Sequence, residues 1–254
     1  MNLALSVIAW YLTSIVCTAT TREIDFVSKI TLTLNQFVVS AICSYVCCGF
    51  KPKPLKKNQK PKMWILALSF LIGMFTLNLA IGVMHVSLAM TLRAVEPLFT
   101  LALGYYFSGS VPNISALASL LLIVAGAGLS SMSSLDYNTM GLLLVIISNL
   151  SFATRAIFYK DIKIASGLNS FEMFYEISRY VIILAFFIWF AFVDPFENTF
   201  EILFDLSKLF MLLLNGVCFF AYVVFEHFNL ISFSCSLEKI NHIAQITRLS
   251  SIIT

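Results

Sequence analysis

The amino-acid sequence predicts an all-α integral membrane protein, a multi-pass helical bundle, and three observations lead to this fold class. First, 59% of the 254 residues are hydrophobic and only 11% are charged, whereas about a quarter of the residues of a soluble domain are charged. Second, the apolar residues fall into stretches of about 20, the length that crosses a hydrocarbon core of about 30 Å. Third, the basic residues concentrate in alternate connectors, as the topology of a membrane protein requires.

Eight stretches are long and apolar enough to be membrane spans. In chain order they cover residues 3–21, 29–50, 63–84, 86–108, 112–132, 138–159, 173–193 and 208–234. The segment Glu238–Thr254 begins a ninth span but is too short and too polar to complete it. We therefore expect about eight to nine spans in one membrane domain, residues 1–254.

The connectors differ in charge between the two sides of the membrane. One side, here named the basic side, holds eight lysines, which are Lys51, Lys53, Lys56, Lys57, Lys60, Lys62, Lys160 and Lys163. The other side, here named the acidic side, holds three basic residues and seven acidic ones, which are Arg22, Lys29, Lys208, Glu23, Asp25, Asp136, Asp194, Glu197, Glu201 and Asp205. Because lysine and arginine are retained in cytoplasmic loops, the basic side is predicted to be cytoplasmic.

The basic connector 51–62 (KPKPLKKNQKPK) has two interpretations. It could bind nucleic acid or lipid headgroups. The favoured alternative is a connector that sets topology, with prolines that stop the flanking helices. The net charge of +3 is too small to predict a nucleic-acid partner.

The fourth span contains two ionisable residues at membrane depth. Arg93 and Glu96 are three residues apart, so they share a helix face and can pair. Pro97 follows them and must bend the helix or remove a hydrogen bond. A buried arginine beside a bend suits anion binding, because a guanidinium binds phosphate through two parallel hydrogen bonds. An internal ion pair that only joins two helices is the alternative.

Later spans contain further charges at membrane depth. From spacing alone, Arg155 is favoured as a cap whose side chain extends to the membrane surface, with the wall of a solute cavity as the alternative. Arg179 follows Glu176 by three residues and is expected to pair with it. Glu226 is either a proton-coupling carboxylate or the partner of one of these arginines.

The sequence contains no catalytic constellation, and we predict no enzyme activity. The GxSxG, HExxH, P-loop and GxGxxG patterns do not occur in a suitable context. No cluster of carboxylates or histidines predicts a metal, and no motif predicts a cofactor. A set of charges dominated by arginine favours binding of an anion over catalysis.

Three strings in the sequence give a family resemblance. Ser87–Phe99 (SLAMTLRAVEPLF) is similar to a segment with the pattern Lys-Ala-x-Glu-Pro, and residues 138–160 contain the pattern ISN-x-x-F-x-x-R that ends at Arg155. The third string is Leu237-Glu238-Lys239. On these motifs the chain resembles the triose-phosphate translocator family of the drug/metabolite transporter superfamily.

This resemblance implies a fold and an activity. It implies ten helices in two inverted halves, here 1–132 and an incomplete 133–254, so we expect the C-terminal part to be missing. It also implies an antiporter that exchanges a small phosphorylated metabolite (triose phosphate, phosphoenolpyruvate or sugar phosphate) for inorganic phosphate or another organophosphate. The membrane would be a plastid-type inner membrane or a Golgi or ER membrane, and assembly as a homodimer is left open.

The resemblance also implies a set of phosphate ligands. Arg93 stands at the position of the family's lysine, and Glu96 stands at the position of the glutamate in the same segment. Met74 and Leu77 stand where the family has His and Thr, and Phe228 lies near its Tyr. Arg248 is the basic candidate for the family's Lys-Arg pair. We therefore predict Arg93, Glu96, Arg155 and Arg248 as substrate-binding residues.

Two alternatives stay open. A nucleotide-sugar transporter of the secretory pathway shares the scaffold and is mildly favoured by the absence of a transit-peptide pattern in the first residues. A truncated, non-transporting paralogue is favoured by the apolar residues at two ligand positions.

Overall fold

The computed structural model describes residues 3–25, 27–108, 138–192 and 205–226, with isolated residues at 118, 122 and 124–126. Every regular element in these ranges is helical. In chain order the α-helices are α1 (Leu3–Glu23), α2 (Lys29–Cys47), α3 (Lys60–Val83), α4 (Val86–Arg93), α5 (Glu96–Ser108), α6 (Thr139–Ser166), α7 (Ser170–Phe192) and α8 (Leu206–Glu226). A 3-10 helix at Lys57–Gln59 leads into α3.

The helices confirm the predicted all-α multi-pass architecture. Six helical segments of the described residues are long and apolar enough to cross a membrane, and α1 is a further helix of 21 residues. The predicted number of eight to nine spans is not reached within the described ranges. The predicted span 112–132 and the segment Glu238–Thr254 lie outside the described residues.

The boundaries of several helices differ from the predicted ones. The helix α2 ends at Cys47, three residues before the predicted boundary, because Gly49 adopts a left-handed backbone with φ of 63°. The helix α6 continues to Ser166, seven residues beyond the predicted end, and stops at Gly167 with φ of 67°. The predicted disruption of the helix near Pro97 is confirmed, since the span 86–108 is divided into α4 and α5.

The helices α3 and α6 run antiparallel along their length. At the basic side, Lys62 pairs with Asp161 at 3.2 Å. At the acidic side, the Asn138 side-chain amide donates to the carbonyl of Val83 at 3.1 Å. These contacts lie at opposite ends of both helices, as the predicted alternation of sides requires.

A cluster of phenylalanines forms the centre of the bundle. Phe70 of α3 contacts one phenylalanine on each of four other helices, at distances of 5.0 to 6.4 Å between ring centroids. These are Phe37 of α2, Phe152 of α6, Phe174 of α7 and Phe219 of α8. All five side chains are buried. Other phenylalanines, such as Phe187 and Phe190 of α7, are exposed on the outer surface. Exposed apolar rings of this kind are expected where helices face lipid.

A buried polar network joins the helices on the acidic side of the cluster. The Asn215 amide of α8 lies within hydrogen-bond distance of the carbonyl of Cys17 and the hydroxyl of Thr20 on α1. The Gln36 amide of α2 donates to Asn215 Oδ1 at 2.9 Å, and the Asn78 amide of α3 donates to Gln36 Oε1 at 3.2 Å. Four helices are therefore joined by side-chain hydrogen bonds at membrane depth, where such bonds stabilise the packing of helices.

Candidate solute-binding site

The candidate site lies at the break between α4 and α5. Pro97 has no N–H, so it cannot donate to the carbonyl of Arg93 four residues earlier, and its ring would collide with that carbonyl in a regular helix. The chain instead makes i→i−3 bonds from Val95 to Leu92 and from Leu98 to Val95. The amide of Asn149 on α6 also donates to the carbonyl of Leu92 at 3.0 Å. The break therefore has a fixed position against α6.

Arg93, at the end of α4, contacts three side chains. Its Nη2 donates to the hydroxyl of Tyr222 at 2.7 Å. Its Nε lies 3.8 Å from Glu96 Oε2, which confirms the predicted pairing of these two residues. Its guanidinium carbon lies 4.7 Å from the ring centroid of Phe152. Among the described residues the guanidinium donates no other hydrogen bond, so several of its five N–H groups are available to a bound anion.

Arg155 of α6 is buried, and the favoured prediction of a surface cap is wrong. Its side chain is 5% exposed, and Nη2 donates to Glu226 Oε1 at 2.8 Å. The side chain points into the bundle because Glu226 and the rings of Phe70 and Phe152 offer a charge partner and two aromatic faces there. The alternative that paired Glu226 with an arginine is confirmed.

Phe152 contacts both arginines. The guanidinium carbons of Arg93 and Arg155 lie 4.7 and 5.2 Å from its ring centroid. The ring fits there because α3 has a glycine opposite it: a Cβ added to Gly73 would lie 3.0 Å from Phe152 Cε1. The Ser148 hydroxyl donates to the carbonyl of Gly73 at 2.9 Å and holds α6 at this distance.

A cavity of about 770 Å³ lies beside this charge cluster. Its walls come from α1, α4, α5 and α8, and they include Trp10, Tyr11, Arg93, Glu96, Tyr222 and Glu226. The lining continues to Arg22 and Glu23 at the acidic-side end of α1. This volume lies within the usual range for small-molecule sites, about 300–1,000 Å³.

A smaller pocket of about 20 Å³ adjoins the cavity at Arg93 and Tyr222. Its walls include Met74 and Leu77, the two residues that occupy polar ligand positions in the resemblance. Both side chains are buried. Because thioether and alkyl groups donate no hydrogen bond, Met74 and Leu77 offer a bound anion no donors.

Of the remaining residues singled out in the sequence, the structure describes Arg179 but neither Arg248 nor Phe228. Arg179 pairs with Glu176 at 3.0 Å, as predicted, and lies away from the cavity lining. Arg248 and Phe228 lie outside the described residues. In the part of the chain that the structure describes, no group of three or more His, Cys, Asp and Glu residues could hold a metal ion.

Sequence reasoning missed Tyr222 as a site residue. A signal was present, because Tyr222 precedes Glu226 by four residues and so shares its helix face. In the structure both residues line the cavity, where Tyr222 binds Arg93 and Glu226 binds Arg155. One face of α8 therefore holds both arginines.

Comparison with known proteins agrees with this architecture. A model of the Triose-phosphate Transporter family matches residues 1–248. The chain belongs to this family. Its membership confirms the resemblance predicted from Ser87–Phe99 and from the pattern that ends at Arg155.

Curated relatives of the family align with most of the chain. Phosphoenolpyruvate/phosphate translocator 3 of Oryza sativa subsp. japonica, chloroplastic, is 27% identical over 166 residues, which cover 63% of this chain and 42% of the relative. The chloroplastic triose phosphate/phosphate translocator of Zea mays is 28% identical over 182 residues, or 69% of this chain and 44% of the relative. The chain thus spans less than half the length of the curated relatives that it matches.

Proposed function

We propose that the protein is a membrane antiporter that exchanges a small phosphorylated metabolite for inorganic phosphate or another organophosphate. The observation that carries the proposal is Arg93 in the wall of the cavity. Its guanidinium is oriented by Tyr222 and Glu96 and keeps further donors for an anion. A guanidinium with two free parallel N–H groups matches the geometry of a phosphate.

The charge cluster suggests how binding could alter the helix packing. Arg93 lies at the end of α4, and Tyr222 and Glu226 lie on α8. An anion bound to Arg93 competes with Glu96 for the same guanidinium, so the contact between α4 and α5 changes when solute binds. We propose that the halves 1–132 and 133–254 rock about this site, as inverted-repeat transporters do.

The relatives' names guide the choice of solute and membrane. Those relatives are named as chloroplastic translocators of phosphoenolpyruvate or triose phosphate with phosphate. We propose the same solute class and a plastid-type inner membrane for this chain. Assembly as a homodimer stays a prediction.

The test is counter-exchange in liposomes that contain the purified protein. Vesicles loaded with inorganic phosphate are offered labelled phosphate, triose phosphate, phosphoenolpyruvate or a nucleotide sugar. Arg93→Gln removes the charge and should abolish phosphate-linked exchange. Each hydrogen bond between a charged group and its partner contributes about 1.5–3 kcal/mol, and the variant loses those that the guanidinium makes to phosphate. Arg93→Lys should retain part of the activity, since the charge remains and the two-pronged geometry is lost.

Arg179→Gln is the matched control. Arg179 also pairs with a glutamate three positions away on its own helix, at 3.0 Å, but it does not line the cavity. Exchange by this variant should equal that of the wild type. Unchanged exchange in Arg93→Gln would refute the role of Arg93.

The two alternatives are outcomes of the same experiment. Exchange of a nucleotide sugar without exchange of the small phosphates would support the secretory-pathway transporter. The apolar Met74 and Leu77 beside Arg93 favour the non-transporting paralogue. That function would be supported if correctly folded protein exchanged none of the four solutes.

A further inference from the structure

The connector between α2 and α3 is fixed against the bundle. Leu55 is 8% exposed and belongs to the hydrophobic core. Next to it, Lys56 Nζ donates to the carbonyl of Ala165 near the end of α6, at 3.2 Å. Gln59, in the 3-10 helix, is also buried. The lysines on either side of Leu55 therefore project from a segment with a defined position.

These lysines form a concentrated positive surface at the basic side. Lys51, Lys53, Lys57 and Lys60 are exposed, and within the described part of the chain they make no ion pair. Lys62 pairs with Asp161, but both side chains are more than half exposed. An exposed pair of this kind contributes little to stability. The charge at this surface is therefore available for an external anion.

Two groups of aromatic side chains lie at the basic ends of α2, α3 and α7, and together they are here named the aromatic band. The band consists of Tyr45, Phe50, Trp64, Tyr175 and Tyr180. Ring centroids lie 4.8 Å apart for Trp64 and Tyr180, and 5.6 Å apart for Tyr45 and Tyr175. Trp64 is 39% exposed and Phe50 is 61% exposed. Tryptophan and tyrosine concentrate at the level of lipid headgroups, so the band marks the membrane interface.

Phe50 has a backbone conformation that is unusual for its residue type. Its φ is 62°, in the left-handed region that bulky side chains rarely adopt. The turn at Gly49 and Phe50 places the Phe50 ring 5.4 Å from Tyr45, at the edge of the aromatic band. The exposed ring thus lies between the lysines and the apolar surface of α2.

The order of charge and apolar surface along α3 matches that of a phospholipid. Lys60 begins α3, and Trp64 follows one turn later, about 6 Å along the helix axis. A phospholipid has the same order, with an anionic phosphate outside and acyl chains inside. We propose that this surface is a binding site for anionic phospholipids, with the phosphate bound by the lysines of residues 51–62 and the upper acyl chains packed on the aromatic band.

The test compares anionic and zwitterionic lipids on the purified full chain. Native mass spectrometry with equal amounts of phosphatidylglycerol and phosphatidylcholine measures the ratio of bound adducts. Wild-type protein should prefer phosphatidylglycerol. The variant K53Q/K57Q/K60Q should lower this preference about 100-fold, since each basic residue near a membrane surface contributes roughly a five-fold change.

Two control variants, K53R/K57R/K60R and K208Q, test whether the lipid preference depends on the charge of the lysines and on their position at the basic side. K53R/K57R/K60R keeps the charge and should keep the preference within about two-fold. K208Q removes one lysine at the acidic side and should leave the preference unchanged, whereas K57Q should lower it about five-fold. None of these residues lines the cavity, so solute exchange does not enter the readout.

Three results would overturn the proposal. The first is equal retention of both lipids by the wild type. The second is an unchanged preference in K53Q/K57Q/K60Q. The third is loss of the phosphatidylglycerol adducts on addition of inorganic phosphate at equal concentration, because the lysines would then serve a soluble anion rather than a lipid.

Discussion

Removing one partner of the Arg155–Glu226 pair should destabilise the protein strongly. The pair is short, at 2.8 Å, and its side chains are 5% and 16% exposed. In Glu226→Gln the Arg155 charge stays buried without the carboxylate that it binds directly. Breaking a buried ion pair in this way costs about 3–5 kcal/mol. The glutamine oxygen can still accept a hydrogen bond, so we expect a value near the lower limit, about 3 kcal/mol.

The assay is thermal unfolding in detergent at one fixed scan rate, because unfolding of membrane proteins is commonly irreversible. For a chain of this length, each kcal/mol corresponds to roughly 2–4 °C, so Glu226→Gln should lower the apparent Tm by about 6–12 °C. The double variant Arg155→Gln/Glu226→Gln should lose less than the sum of the single losses, since it leaves no isolated charge.

Glu176→Gln is the matched control. The Glu176–Arg179 pair has a similar length, 3.0 Å, but Arg179 is 54% exposed. Because the remaining arginine can be solvated, the loss should be about 1 kcal/mol or less. Equal shifts in Glu226→Gln and Glu176→Gln would refute the conclusion that burial makes the first pair important.

Three other variants test the packing and the site. Gly216→Ala should destabilise by about 1–3 kcal/mol, because the added Cβ would lie 2.7 Å from Val39 Cβ; unfolding at the wild-type temperature would contradict this prediction. Asn215→Ala should cost about 1–2 kcal/mol in the same thermal assay, since it removes hydrogen bonds that join α8 to α1 and α2, and a shift below about 2 °C would argue against it. Tyr222→Phe should lower phosphate exchange in liposomes about ten-fold, because Arg93 loses the hydroxyl that orients it, and equal exchange per folded protein would contradict that role.

The sequence predicted the architecture well because membrane insertion depends on local properties. The length of each apolar stretch and the number of basic residues in each connector can be counted directly along the chain. The residue types therefore predicted the helices and the difference in charge between the two sides. The disruption of the helix at Pro97 was predictable for the same reason, since a missing N–H acts on its own helix. The pairs Arg93–Glu96 and Arg179–Glu176 also follow from spacing within one helix.

The partners of charges on different helices depended on the tertiary structure. Arg155 was favoured as a surface cap, because its position near a span end does not show which helix faces it. Its burial follows from Glu226, 71 residues later, and from two aromatic faces on α3 and α6. Tyr222 became a site residue only when α8 was packed beside α4.

Taken alone, the sequence determined that the chain spans a membrane as a helical bundle and that Arg93 lies at a helix break at membrane depth. The tertiary structure decided which charges meet and where the cavity lies. The physical reason is the distance along the chain over which each effect acts. Hydrophobic periodicity and proline geometry act within one helix, whereas an ion pair buried between helices forms only when those helices pack together.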